Sequence, residues 1–223
     1  MSDQLKQNVL QLLDETKKAN VKLIAVTKTV PVEVINEAIS YGITAIGENR
    51  VQELMEKYDK LDKNNLEIHL IGRLQTNKVK YIIGKVDLIH SVDSYKLAST
   101  IDSYASKAGI IQDILVQVNT SGELSKGGIE IENVTEFLLN ISKLKNIKVR
   151  GLMCIPAPEV NFGDNSVSFN LLYKMLVDNN AKKLDNIDMD ILSMGMSSDY
   201  KTAIKCGATM VRVGSKIFGK RNY

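Results

Sequence analysis

The chain has 223 residues, 44% of them hydrophobic, enough to fill the core of one large α/β domain or two small ones. Its 29 basic and 26 acidic residues leave a formal charge of only +3, with lysines scattered along helix-like stretches such as Asp14-Glu15-Thr16-Lys17-Lys18, which argues for a solvated surface and against a nucleic-acid face. Two cysteines, Cys154 and Cys206, cannot build a disulfide framework, Met1-Ser2-Asp3-Gln4 lacks a signal-peptide pattern, and no apolar run nears the roughly 20 residues that cross a bilayer, so a cytoplasmic protein is expected.

In chain order, residues 4–18 read as an amphipathic helix. Eight short apolar runs follow, at 22–26, 43–46, 67–71, 86–92, 114–118, 149–153, 190–194 and 209–213. Between neighbours lie helix-length segments with apolar residues three or four apart, as in Val34-Ile35-Ala38-Ile39 and Phe137-Leu138-Ile141-Leu144. Pro31 suits a first-turn helical position, while Gly42, Gly109 and Gly207 stand where helices should end. Residues 156–166 form a polar connection long enough for a mobile loop. Eight strand-helix units predict one α/β domain over residues 1–223, a (β/α)8 TIM-type barrel with an extra N-terminal helix. The competing doubly wound open sheet is disfavoured because the first strand runs into Ala25-Val26-Thr27-Lys28-Thr29, with no glycine-rich dinucleotide fingerprint.

In such barrels the functional residues sit just past the C-terminal strand ends. The first strand leads to Lys28, the second to Gly47-Glu48-Asn49-Arg50, the seventh to Gly195-Met196-Ser197-Ser198, and the eighth to Gly214-Ser215-Lys216. The last two loops carry Gly and Ser where barrels commonly bind phosphate; ordinary helix-capping turns are the alternative. Lys28 extends the apolar run Leu23-Ile24-Ala25-Val26. Its amine is either partly desolvated and available for an imine, or a snorkelling ammonium in water. Alternation in Met210-Val211-Arg212-Val213 turns Arg212 inward, where it needs an anion, either a phosphate or a structural carboxylate.

The segments Ala25-Val26-Thr27-Lys28, Ile46-Gly47-Glu48-Asn49, His69-Leu70-Ile71-Gly72-Arg73-Leu74-Gln75-Thr76-Asn77-Lys78, Arg150-Gly151-Leu152-Met153, Ser193-Met194-Gly195-Met196-Ser197-Ser198-Asp199 and Val211-Arg212-Val213-Gly214-Ser215-Lys216-Ile217-Phe218-Gly219 closely resemble the pyridoxal phosphate homeostasis protein family, also described as alanine racemase-like. The likeness runs in order from about residue 22 to 219. It implies an alanine racemase-type barrel without the second domain, holding pyridoxal 5′-phosphate (PLP) as a lysine imine (Schiff base), with no settled catalytic activity. By position it implies Lys28 as the imine lysine and Asn49 beside the cofactor ring. It places Ser197, Gly214 and Ser215 on the phosphate, and Arg212 against either the phosphate or the pyridine nitrogen. His69 is expected in the same mouth, as a ring contact or a packed strand histidine, and Lys126 as an entrance lysine or a solvated loop lysine. Ser215 stands where many members have Thr, and the tract 161–188 is less recognisable.

Three functions stay open on these grounds. One is a vitamin B6 carrier in PLP homeostasis that sequesters PLP and releases or delivers it to PLP-dependent apoenzymes. The others are a PLP-dependent amino-acid racemase and an interaction protein with a structural ligand. The carrier is favoured because the sequence stops at Tyr223, leaving no second domain to supply an opposing base, and because an arginine at the pyridine nitrogen weakens the electron sink. A monomer without membrane or nucleic-acid partners is expected.

Overall fold

The computed structural model describes residues 2–121, 127–156 and 165–219. Nine strands occur among them: β1 Lys22–Val26, β2 Ala45–Glu48, β3 Glu67–Leu70, β4 Leu88–Val92, β5 Gln112–Asn119, β6 Ile129–Glu130, β7 Ile147–Cys154, β8 Ile187–Ser193 and β9 Met210–Val213. All pairings are parallel, in the order β4-β3-β2-β1-β9-β8-β7-β5, and a further β4–β5 pairing closes the ring. Closure excludes the open doubly wound sheet. The eight expected strands are the eight staves, and two-residue β6 lies outside the ring, paired to the end of β5 through Val118 and Asn119.

The observed β2 begins two residues later than the apolar run 43–46 suggests. The Ile43 amide bonds to the Ala38 carbonyl, so Ile43 finishes the helix Val32–Ser40 before the strand begins. Pro31 sits one position before that helix, at its N-cap, with ψ 147°, and its carbonyl accepts from the amides of Val34 and Ile35. It has no N–H to leave unsatisfied there. Gly109 ends the helix Tyr95–Ala108 at φ +66°, a left-handed conformation that glycine adopts without steric cost.

Each of the eight staves has one face to the helices and one to the barrel axis, and β2 and β4 are buried along their whole length. Outward residues such as Leu23, Ala25, Val211 and Val213 join the large sheet-helix core. Inward, Ile24, Ala45, Leu88, Leu115, Met153 and Met210 form a separate apolar plug. Two residues farther along three of these strands, on the same face, stand Arg212 after Met210, His90 after Leu88 and Ser193 after Ile191.

The helix after β9 is described only over Ser215–Phe218, too short to cover the β9–β1 seam. The N-terminal helix α1, Ser2–Lys18, takes that place. Leu5, Val9 and Leu12 are buried in the main core, the Asn8 amide donates to the Ile217 carbonyl at 3.0 Å, and the Tyr200 hydroxyl donates to Glu15 at 2.6 Å. That last bond and the lesser one from Gln11 hold the Glu15 carboxyl down at about 2.

If α1 is an integral stave cover, Leu12→Ala, at a fully packed position, should cost about 2–5 kcal/mol in urea unfolding. Leu10→Ala on the exposed face should stay within about 0.5 kcal/mol. Equal effects of the two would show that α1 is not part of the cooperative core.

Candidate functional site

A cleft of about 550 Å³ opens at the C-terminal end of the barrel. Val26, Ile71, Ile155 and Met196 supply its apolar wall, and Lys28, Asn49, Ser197, Arg212 and Ser215 its polar groups, with Gly214 between the last two. Six of the seven residues singled out from sequence therefore meet in one place. The seventh, His69, does not line it. Just past β3 the residue at the mouth is Ile71, two positions beyond His69, so the histidine lies one layer deeper, buried against His90 at 2.8 Å. Lys126 and most of the 156–166 connection lie outside the described residues.

Lys28 follows the end of β1, and its neighbours on both sides are fastened. The Thr27 amide bonds to the Gly47 carbonyl and its hydroxyl donates to Glu48 at 2.7 Å. Lys57 reaches up from the helix Val51–Tyr58 to donate to the Thr27 carbonyl at 2.9 Å, Glu48 at 2.8 Å and Glu53 at 2.6 Å. Glu53 in turn accepts from the Thr29 amide, which holds Thr29 at φ +61°, a conformation a β-branched residue adopts only when its surroundings impose it. Burial pushes the Glu48 carboxyl above the usual range against the opposing pull of Lys57 and Thr27. Lys28 itself is half-buried, and its amine has no hydrogen-bond or ion-pair partner among the described residues.

Across the cleft, the loops after β8 and β9 are built from backbone constraints. Asp199 accepts from the Met196 amide at 2.6 Å and from Asn165 at 2.7 Å. Gly195 turns at φ +90°, where a Cβ would stand 2.5 Å from Ala203. The Gly214 amide donates to the Ser197 hydroxyl at 3.2 Å, tying the two loops together, and the Ser215 hydroxyl is uncommitted among the described contacts. On the β2 side, Gly72 passes so near the Asn49 backbone that a Cβ would lie 2.2 Å from its carbonyl oxygen. The Asn49 side-chain oxygen is buried without a hydrogen-bond partner, an acceptor that a bound group can satisfy.

Arg212 is the dominant charge. It is 4% exposed and donates to the Ser193 hydroxyl at 2.6 Å and the Cys154 carbonyl at 2.8 Å. No carboxylate lies within ion-pair distance among the described residues, and burial lowers its affinity for the proton. A buried guanidinium with only neutral acceptors is costly and favours an anionic ligand. Burial also pushes the nearby Cys154 thiol up to about 11, which leaves it protonated and inert.

A larger hollow of about 1600 Å³ lies at the opposite, N-terminal end. The strand-end charges there pair with one another, Lys22 with Glu67 and Arg150 with Asp113 and Asp190. Sequence reading passed over His90 and Lys57 and gave no role to Glu48, Ser193 and Asp199, although these three stand in the segments that carry the family resemblance. The signal for His90 was a histidine inside the apolar strand Leu88-Ile89-His90-Ser91-Val92.

This ring and mouth define a barrel of the alanine racemase N-terminal-domain class, whose sequence model, "Alanine racemase, N-terminal domain", matches residues 1–222. An alanine racemase from Streptomyces coelicolor superposes over 99% of this chain and 59% of its own with a TM-score of 0.79 at 16% identity, a likeness of fold alone. Within that class the chain belongs to the pyridoxal phosphate homeostasis protein family. The protein of that name from Aquifex aeolicus is 48% identical over 202 residues, 91% of this chain and 88% of the relative. PipY of Synechococcus elongatus, solved with PLP bound, superposes with a TM-score of 0.85 at 34% identity, covering 96% of this chain and 100% of that one.

Glu67, at the N-terminal mouth, offers a check on the barrel's electrostatics. The hydrogen bond from His69 is the largest influence holding its carboxyl at about 2, with Lys22 adding to it against burial. A folded value below the ordinary 4.5 contributes stability that is present above pH 4.5 and lost as pH falls toward 2. Between those limits the denaturation midpoint should therefore fall more steeply for the natural protein than for Glu67→Gln. Parallel curves would mean that these contacts do not perturb Glu67.

Proposed function

We propose that the C-terminal cleft binds PLP, that Lys28 holds it as an imine, and that the protein serves intracellular PLP homeostasis by sequestering the cofactor and releasing or delivering it. The observation that carries this reading is one cleft containing both an uncommitted lysine amine and a buried arginine with no carboxylate in ion-pair contact among the described residues. An aldehyde that also bears an anion answers both needs. The relatives point the same way, being named for PLP homeostasis or solved with PLP.

In this reading the Ser197 and Ser215 hydroxyls and the backbone at Gly214 receive the phosphate, where charge-assisted donors are strongest. Asn49 offers its unpartnered oxygen beside the ring, and Arg212 supplies the compensating charge with N–H groups left over from Ser193 and Cys154. Bound PLP would supply an electron-withdrawing ring. Were Arg212 to meet the pyridine nitrogen instead of the phosphate, a donor-only group there would favour the unprotonated ring and so weaken that chemistry. The titratable side chains lining the cleft among the described residues are Lys28 and Arg212. An arginine is no general base, so two-sided proton exchange as in a racemase lacks its second partner there. We place the protein in the cytoplasm as a monomer, with PLP-dependent apoenzymes as the recipients.

Lys28→Ala should abolish the visible band that PLP gives with the natural protein, and borohydride reduction of the natural protein should leave the added mass on Lys28 alone. A stoichiometric reducible band in Lys28→Ala would move the attachment to another amine.

The phosphate contacts have a separate signature. Hydrogen bonds to charged groups contribute roughly 1.5–3 kcal/mol each, so Ser197→Ala combined with Ser215→Ala should weaken PLP binding by about two decades or more. Pyridoxal, which lacks the phosphate, should bind the natural and doubly substituted proteins about equally. If the double variant kept its preference for the phosphorylated form, the serines would not be the phosphate donors.

A further inference from the structure

Inside the barrel, three fully buried polar side chains have no part in the cleft as described: Ser193, His90 and His69. They form one connected file. Arg212 Nη1 lies 2.6 Å from Ser193 Oγ, Ser193 Oγ 2.9 Å from His90 Nδ1, His90 Nε2 2.8 Å from His69 Nδ1, and His69 Nε2 3.2 Å from Glu67 Oε2. Glu67 is half-exposed at the opposite mouth and accepts from Lys22 at 2.6 and 2.7 Å.

Donor chemistry gives this file a direction. A guanidinium only donates, so Ser193 must accept from Arg212. The single hydroxyl proton of Ser193 then has one acceptor in reach, His90 Nδ1, which places the His90 hydrogen on Nε2. That hydrogen needs His69 Nδ1 as its acceptor, which places the His69 hydrogen on Nε2, facing the Glu67 carboxylate. Every donor finds an acceptor with both rings neutral. In the reverse order Ser193 would accept twice, and its own proton would be left in the barrel interior with no partner among the described contacts, a costly arrangement.

We propose that Ser193, His90 and His69 are positioning residues that act through Arg212. They form a one-way hydrogen-bond relay along the barrel interior, from the cofactor cleft to Glu67 at the far mouth, which fixes the arginine against its ligand. Burial first, and the Arg212 charge with it, disfavour a charged His90, in keeping with a neutral His90 ring. The relay also gives the barrel a polar axis beside the apolar plug of Ile24, Leu115 and Met153. Its effect on the cofactor rests on the reading of the cleft given above, whereas the order of its hydrogens does not.

Nitrogen-15 NMR of histidine-labelled protein without PLP tests that order directly. The chain has only two histidines, so the spectrum holds two rings. At pH 7.5 both should be neutral with hydrogen on Nε2. Hydrogen on Nδ1 of either ring, or a doubly protonated ring, would overturn the relay. The second test is PLP titration of Ser193→Ala and Ser193→Thr. Loss of a hydrogen bond to a charged group predicts binding weakened about tenfold or more in Ser193→Ala, together with a displaced absorbance maximum. The hydroxyl of Ser193→Thr should restore both. Natural affinity and an unshifted band in Ser193→Ala would refute the positioning role. Should the natural protein form no reducible band at all, the cofactor reading falls, and the NMR result still decides the relay.

Discussion

The pairing of β1 with β9 joins the beginning of the described chain to its end, and the cleft depends on it. Ile24 stands beside Arg212 and Ala25 beside Val213, so the residues just beyond each strand, Lys28 on one side and Gly214 and Ser215 on the other, emerge at the same rim. A parallel register places both strand ends at one face without a choice of orientation. Without this seam the lysine and the phosphate-type loops would have no common space. The N-terminal helix matters for the same reason, since Leu5, Val9 and Leu12 join the core where the short last helix leaves the seam uncovered.

The barrel interior is divided between two kinds of packing. An apolar plug fills part of it, while Arg212, Ser193, His90 and His69 carry a file of polar groups through the rest. Burying polar groups is tolerable only when each has its partner. The file meets that condition at every point except the arginine's charge. The residual need for an anion is therefore concentrated at the cleft, where a ligand can meet it.

Lys28 is held by a different device. Its own amine is uncommitted, yet the residues on either side are clamped by Lys57, Glu48 and Glu53, a partly buried group of charges on the neighbouring βα unit. One side chain is free to react while its backbone is not free to move. This separation suits the attachment proposed above, because with the backbone already fixed only the side chain's own freedom is lost on bonding.

Strand count, strand-helix alternation and the identity of the strand-end residues were legible in the sequence, because hydrophobic period and turn chemistry are local properties. So was the inward turn of Arg212, which follows from alternation between two valines. Where β2 begins was not, since Ile43 completes a helix before the strand starts, and two-residue β6 is too short to leave a periodic trace. The depth of His69 was equally hidden: a strand pattern tells which face a residue occupies, while the layer it reaches depends on stagger against β2 and β4. His90 and Ser193 are 103 residues apart, and their contact exists only because ring closure sets the two strands across one narrow interior. The sequence by itself determined the barrel and the residues at its rim, and the tertiary structure alone decided which buried polar groups touch, because hydrogen bonds across the barrel depend on stagger and closure that no local pattern encodes.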